Sequence, residues 1–296
     1  SGRHAPESVD GMLRNPWTIC SGFCIKSLLV LADVVEARDP YTGGHIWRVS
    51  QFSKLLAIKI GLPEKEAVQV SLGGYLHDLG KIGIPDNILL KKGKLTDEEY
   101  GIIKTHPLIG KRLISAHPLS EMVCRPIVEH HERIDGKGYP HGLVADEISL
   151  PSKIISAADV LDALTSVRPY RREMSLERAC QILDEDSGTH FDPNLLEHLD
   201  ELARDGDLSH IIGHSAESIP LITCPTCGPV ISVPRTARTG DVVFCRACTG
   251  KFILHQIQDS FEPEMIGMTN NPVELQAEPN SAALNDLMKD FAGKFD

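Results

Sequence analysis

A chain of 296 residues that is 42% hydrophobic and 24% charged has room for one large domain or two unequal ones, with a full core. No apolar run is long enough to span a bilayer, the stretch over residues 28–35 being broken by Asp33, and no signal-peptide pattern heads the sequence, so a cytoplasmic protein without a membrane partner is expected. The net charge of −11 argues against broad binding to nucleic acid or an anionic membrane, which needs a basic footprint.

A start at Ser1 rather than Met is what a piece of a longer protein with an upstream domain would show. Residues 1–24 mix Gly, Pro, Arg and Asn without periodicity and read as a lead-in with at most a short helix. Over residues 25–38, Leu28, Leu31 and Val35 recur at helical spacing, and Asp39-Pro40-Tyr41-Thr42-Gly43-Gly44 breaks that helix. A second helix starts near His45, which shares one stripe with Val49, Phe52 and Leu56. A lone histidine on such a stripe is more often a core residue than a ligand.

Gly61-Leu62-Pro63 opens the next helix, Pro63 suiting a first turn. That helix or its successor carries His77-Asp78-Leu79-Gly80-Lys81. A buried carboxylate is costly unless paired, so Asp78 needs a metal or Lys81. Lys91-Lys92-Gly93-Lys94 reads as a solvated basic turn, and Thr96-Asp97-Glu98-Glu99 as a capping box for a helix that carries Ile102 and Ile103 and ends near His106.

A helix from about Ser120 delivers Glu129, His130 and His131 to a turn rich in glycine, ending Gly138-Tyr139-Pro140. After an irregular segment with Gly142 and Pro151, residues 154–165 form an Ala-rich helix whose Asp159 and Asp162, three apart, face a similar direction. Arg168-Pro169-Tyr170-Arg171-Arg172 is a dense positive turn. Helices over 176–184 and from Asp192-Pro193 to about Arg204 complete a stretch, 25–205, that is nearly all α.

Seven residues of ligand type, His45, His77, Asp78, His106, His130, His131 and Asp159, each lie at a helix end or on an apolar stripe. Imidazole mixed with carboxylate suits iron, manganese or zinc rather than calcium. Five histidines and two carboxylates exceed what one tetrahedral zinc can use; the number suits two metals sharing a bridging carboxylate. Plain core packing is the alternative for any one of them, the adjacent pair His130-His131 included.

Taken together, Asp39 to His45, His77-Asp78-Leu79-Gly80-Lys81-Ile82-Gly83-Ile84-Pro85, Thr105-His106-Pro107, His130 to Pro140, Ala158-Asp159-Val160, Asp162-Ala163-Leu164-Thr165 and Arg168-Pro169-Tyr170-Arg171 resemble the HD-GYP family of the HD phosphohydrolase superfamily, over about residues 25–205. The resemblance implies a helical bundle around a buried two- or three-metal site, often iron. It implies hydrolysis of cyclic di-GMP to pGpG, and in many members on to GMP. Carried over, the seven residues above are the metal ligands, with Asp78 bridging, and water between the metals becomes the attacking hydroxide. Lys81, Arg168 and Arg171 hold substrate phosphates, Lys81 also being a candidate proton donor to the leaving group. Gly138, Tyr139 and Pro140 shape the guanine and phosphate pocket. Members with a third metal place a glutamate four residues before the first histidine; Tyr41 stands there, and Glu36 is a full helical turn further back, so two metals are expected. A cyclic dinucleotide receptor that does not hydrolyse, and a phosphodiesterase for cyclic GMP-AMP or pGpG, are the alternatives; the intact ligand set favours the enzyme.

Residues 206–220, with Gly206, Gly213 and Pro220, read as a linker. Cys224-Pro225-Thr226-Cys227 and Cys245-Arg246-Ala247-Cys248 are two C-x2-C pairs flanking strand-like residues 230–233 and 242–244, the pattern of a zinc ribbon over 221–255 holding one structural zinc. Disulfides are the weaker alternative, because a segment this small needs metal to fold and the other cysteines, Cys20, Cys24, Cys124 and Cys180, are scattered, as in a reducing compartment. Arg235, Arg238, Arg246 and Lys251 against Asp241 form no dense stripe, which favours a structural or protein-docking role over nucleic acid. From 256 an acidic stretch with Pro263, Pro272 and Pro279 reads as extended or disordered to about Asn280. Residues 281–295 suit a helix with Leu284, Leu287, Met288 and Phe291 on one face, covered by the chain's own core or, in a homodimer, by a second subunit. The expected architecture is mostly α: an HD-type helical bundle with a small C-terminal zinc ribbon of short β-strands.

Overall fold

A computed structural model describes residues 16–38, 43–91, 93–166, 174–228, 230–231, 233–234, 236–257, 260–276 and 281–291. Tyr41, Arg168 and Arg171 lie outside them. Helices α1 (Pro16–Glu36), α2 (His45–Lys59) and α3 (Glu64–Leu76) lead into a 3₁₀ turn over Leu79–Gly83. Then come α4 (Asp86–Leu89), α5 (Asp97–Ile103), α6 (His106–Ile114), α7 (Ser120–Glu129), α8 (Leu150–Thr165), α9 (Leu176–Glu185) and α10 (Pro193–Asp205). The centre of the bundle is α2, which packs on α3, α8 and α10. Its stripe Val49, Phe52 and Leu56 is wholly buried, as the helical spacing requires. Ser50 and Ser71 meet Oγ to Oγ at 2.8 Å across the α2/α3 contact, which satisfies two buried hydroxyls. Among the described residues no helix is long and apolar enough to cross a membrane.

Several boundaries differ from the sequence reading, each for a local reason. Helix α1 begins at Pro16, inside the expected lead-in, with proline at its first position, where its missing N–H costs nothing. His106 opens α6 instead of closing α5, since Pro107 is tolerated only in a first turn. In the same way Pro151 stands in the first turn of α8, capped by the Ser149 side chain, so that helix starts at Leu150. The capping box at Thr96 and Glu99 forms as read: the Glu99 amide donates to Thr96 Oγ1 at 3.3 Å and the Thr96 amide to Glu99 Oε2 at 2.7 Å.

The segment 206–220, expected to be a linker, folds back on the bundle. It forms a small hairpin of β1 (His214–Ala216) and β2 (Ile219–Pro220), and buries Leu208, Ile211, Ala216 and Ile219 in the helical core. Glycines and a proline remove its helical period without removing its apolar content. Beyond it, β3 (Ile222–Thr223) pairs antiparallel with β4 (Val230–Ile231), and β5 (Val242–Phe244), β6 (Gly250–Ile257) and β7 (Ser260–Met268) form an antiparallel sheet in that order. Ile222, Ile231, Val233, Val243, Phe252 and Leu254 give this region its own core. Within the stretch read as extended or disordered, Ser260–Met268 is therefore a paired strand. Its acidic residues alternate with apolar ones at an edge, where Pro263 is tolerated. The last helix, α11 (Ser281–Phe291), packs against α1 and buries Ala283, Leu284, Leu287 and Phe291 in the core of its own chain, and Lys54 pairs with Asp290 at 2.5 Å.

One polar tie joins α1 to the segment that carries His77. Asp33 and Tyr75 are both buried, and the Tyr75 hydroxyl donates to Asp33. Burial pushes the Asp33 carboxyl up from 3.8 to about 7, against the Tyr75 bond and helped by repulsion from Glu36. The folded chain thus keeps a proton that the unfolded chain releases, and the stability this group contributes is lost as pH rises from 3.8 through about 7. Asp33→Asn cannot ionise and is expected to flatten this dependence. Its melting temperature should gain on the wild type above the folded value and gain nothing below 3.8; parallel melting curves across that window would contradict the account.

Candidate metal centre

The bundle brings five elements to one place. His45 is the first residue of α2; His77 and Asp78 follow α3; His106 opens α6; His130 and His131 follow α7; Asp159 lies within α8. The 3₁₀ turn after Asp78 approaches α6 so closely that a Cβ on Gly80 would lie 1.8 Å from the His106 carbonyl oxygen and 2.6 Å from the Gly110 amide nitrogen. Only glycine allows that approach, and it sets Asp78 beside His106.

Asp78 stands between two groups of donors. Its Oδ2 is 3.6 Å from His45 Nε2 and 3.3 Å from His77 Nε2, while its Oδ1 is 3.4 Å from His106 Nε2. Asp159 Oδ1 joins the first group, 3.5 Å from His45 Nε2 and 3.9 Å from His77 Nε2. In the second group His106 Nε2 and His130 Nε2 are 3.2 Å apart, and the His131 ring centre lies 4.0 Å from that of His130. Within each of the triads His45, His77, Asp78 and His106, His130, His131 the donor atoms fall within 4.8 Å of one another.

The far side of each ring fixes its tautomer. His77 Nδ1 faces the Gly74 carbonyl at 2.7 Å, His106 Nδ1 that of Ile103 at 2.8 Å, and His130 Nδ1 that of Ile127 at 3.0 Å. A carbonyl only accepts, so Nδ1 carries the proton and Nε2 turns a lone pair inward. His77 Nε2 and Asp78 Oδ1 are buried with no hydrogen-bond partner. Acceptors therefore face acceptors across the cluster, an arrangement that buried polar groups avoid unless a cation lies between them. The residues fit a pair of metal ions.

Electrostatics agree. Burial, then repulsion by neighbouring histidines, pushes His130 well down and His131 to about 3, and burial likewise brings His106 to about 4. All three are neutral, the form that ligates. Burial opposes ionisation of both carboxyls, yet Lys81, His77 and His45 hold that of Asp78 well below the usual range, and His77 and His45 lower that of Asp159. At His45 burial works against protonation, but bonds to Asp162 and Asp78 and the charge of Asp159 raise it to about 9. Converging carboxylates demand a cation there, and a divalent ion would meet that demand better than a proton.

The expected substrate side is partly in view. Lys81 Nζ donates to Asp78 Oδ2 at 2.5 Å. The Tyr139 ring stacks on His131, centres 4.7 Å apart and 29° between planes. The loop doubles back on itself at Gly138, where a Cβ would meet Glu132 Cα and the Arg133 amide nitrogen at 2.4 Å, and the Tyr139–Pro140 bond is cis. Glu36, not expected to serve as a ligand, lies at the end of α1 and lines a small cavity together with His45, Asp78 and Lys81; its Oε1 accepts from the Ile46 amide at 3.0 Å.

A family model described as an HD domain matches residues 29–195, more than half of the sequence. The chain belongs to the HD domain family. It is 40% identical over 176 residues to the cyclic di-GMP phosphodiesterase response regulator RpfG of Xanthomonas campestris, covering 59% of this chain and 47% of that protein. A cyclic di-GMP phosphodiesterase of Thermotoga maritima is 38% identical over 210 residues, covering 67% of this chain and 57% of its own length. The 3'3'-cGAMP-specific phosphodiesterase 3 of Vibrio cholerae is 36% identical over 160 residues, covering 54% of this chain and 35% of its own length. The chain spans about half the length of the curated relatives it matches. The resemblance read from the motifs is borne out by this match.

Three supports of the HD centre escaped the sequence reading. Asp162, fully buried, accepts from His45 Nδ1 at 2.7 Å and from Arg48 Nε at 2.5 Å; a carboxylate behind a ligating histidine orients the ring and raises its basicity. Arg48, one turn on from His45, also donates to the Gly43 and His214 carbonyls. Glu132, next to His131, takes the His141 and Leu143 amides at 2.7 and 3.0 Å and so holds the loop after Tyr139. Buried charge on an apolar helix was the available signal for Asp162.

Outside the HD match, the two C-x2-C turns meet. The Sγ atoms of Cys224 and Cys227 are 3.7 Å apart, those of Cys224 and Cys248 3.7 Å, and those of Cys227 and Cys245 3.5 Å. Disulfide sulfurs would be about 2 Å apart, whereas four thiolates at about 2.3 Å from a tetrahedral zinc stand about 3.8 Å from one another. The geometry fits one zinc.

Asp162→Asn is expected to lower the affinity of the HD centre for Mn²⁺ or Zn²⁺ by roughly 10–100-fold, measured by titration calorimetry. The melting temperature falls with it, because Arg48 loses its counter-charge. Unchanged affinity would show that His45 needs no orienting partner.

Proposed function

We propose that this chain is a metal-dependent phosphodiesterase that opens cyclic di-GMP to pGpG, with pGpG itself to be tried as a further substrate. The observation that carries the reading is Asp78, whose two oxygens face two separate groups of buried imidazoles. In this reading His45, His77, Asp78 and Asp159 would hold one divalent cation, and Asp78, His106, His130 and His131 a second. The donor set suits iron first, with manganese or zinc as substitutes. When bound, such a pair acts as a Lewis acid and makes water a nucleophile near neutral pH.

The chain's own residues do the rest. Asp78 fixes the spacing of the two sites. Lys81, at the edge of the centre, is assigned to a phosphoryl oxygen and, with a nearby water as the alternative, to the proton that the leaving 3′ oxygen takes as the P–O bond breaks. Arg168 and Arg171 are assigned to the phosphates on the sequence pattern alone, for bidentate contacts. Tyr139, held flat against His131, offers a face for guanine. Gly138 and Pro140 keep the loop beside it narrow. Free cysteines set for metal support a cytoplasmic location, since thiols persist under reducing conditions. The Cys224, Cys227, Cys245, Cys248 site takes one structural zinc, and the ribbon is a docking surface for a protein partner rather than for nucleic acid.

A second substrate has specific support: several relatives are named as 3'3'-cGAMP-specific phosphodiesterases, so cyclic GMP-AMP competes with cyclic di-GMP for this reading. Product chromatography on iron-loaded protein kept anaerobic, with cyclic di-GMP, cyclic GMP-AMP and pGpG offered separately, decides between them. Linear product from cyclic di-GMP is expected. Tight binding of a dinucleotide without any product would establish a receptor instead. The double variant His77→Ala, Asp78→Ala is expected to lose turnover of cyclic di-GMP and of bis-p-nitrophenyl phosphate by at least three orders of magnitude, roughly; a metal-loaded double variant that still turns over would end the assignment.

A further inference from the structure

The 3₁₀ turn over Leu79–Gly83 carries Lys81 and is short, and the carbonyl oxygens at its end can take donors from elsewhere, that of Lys81 also accepting from the Ile84 amide at 3.1 Å. One guanidinium collects them. Arg38 Nη1 donates to the Lys81 and Ile82 carbonyls at 3.1 and 2.8 Å, and its Nη2 donates to the Ile84 carbonyl at 3.0 Å and to Asp86 at 2.5 Å. Arg38 in turn stands just past the end of α1, its amide bonded to the Val35 carbonyl at 3.2 Å. The carbonyl of the residue before it, Ala37, accepts from Arg246 Nη1 at 3.1 Å. A cation at a helix C-terminus is favourable both as a donor and for the helix dipole. Arg246 lies between Cys245 and Cys248 in the second C-x2-C turn.

We propose that Arg246 and Arg38 form a brace that runs from the cysteine cluster to Lys81, so that the ribbon is a positioning element of the HD centre. The four cysteines fix the backbone from which Arg246 reaches; Arg246 fixes the end of α1; Arg38, carried on that end, fixes the turn on both sides of Lys81. Arg38 lies inside the matched stretch 29–195 and Arg246 outside it, so the brace ties the HD match to the C-terminal part of the chain. A second contact from the same part points the same way: the His214 carbonyl accepts from Arg48 at 2.8 Å, the side chain that holds Asp162 behind His45. The link to catalysis rests on the proposed role of Lys81 at the substrate phosphate.

The test uses the full chain with both metal centres loaded. Arg246→Ala is expected to leave metal content unchanged, to speed amide exchange in residues 79–86 several-fold, and to raise KM for cyclic di-GMP by about an order of magnitude with a smaller change in kcat, the signature of lost positioning of bound substrate. Arg246→Lys, which can still reach a carbonyl, should recover most of both effects. Cys227→Ser, on the other C-x2-C turn, is expected to lower zinc content and to speed exchange over the same residues. Unchanged exchange over 79–86 in both Arg246→Ala and Cys227→Ser overturns the brace. Faster exchange with unchanged KM supports the brace and instead overturns the assignment of Lys81 to the substrate.

Discussion

At the heart of the bundle the Nε2 atoms of His106 and His130 face each other at 3.2 Å while the Nδ1 atom of each is committed to a carbonyl. Two inward lone pairs at that separation repel, and the neighbouring His77 Nε2 and Asp78 Oδ1 add more acceptors with nothing to accept from. Such crowding costs several kcal/mol in a dry interior. It is stable only around positive charge, and the helices are arranged to hold it: α2, α3, α6, α7 and α8 each give up an end or a turn to the same small volume.

That demand explains features that would be odd alone. Gly80 lets one backbone come within contact of another, because Asp78 must reach His106 as well as His45. Asp162 is buried with Arg48 instead of being replaced by an apolar residue. A buried ion pair is a poor route to stability; here it sets the ring of His45, and its role is orientation. Glu132 is spent on loop amides for the same reason.

The chemistry of the centre was legible in the sequence because it resides in residue identity: imidazoles and carboxylates on apolar stripes have few other uses. The capping box was legible because it is local. What could not be read depends on contacts between distant parts of the chain. His45 and Asp162 are 117 positions apart, and no spacing rule joins them. Leu208, Ile211 and Ile219 carry no period, so their place in the core was hidden behind glycines. The edge strand β7 resembled a disordered tail because its charges face solvent. The placement of Arg168 and Arg171 lies outside the described residues.

The far-flung origin of the ligands has an effect on the life of the protein before it does any work. An unfolded chain scatters these side chains, so it has no nest for two cations; the nest exists only once the helices have closed. By mass action, ions that bind the closed form alone deepen its energy well. On the proposed function, scarcity of metal is felt twice, as lost activity and as a shorter-lived protein, and supply of the ion then governs how much of the molecule survives as well as how fast it acts.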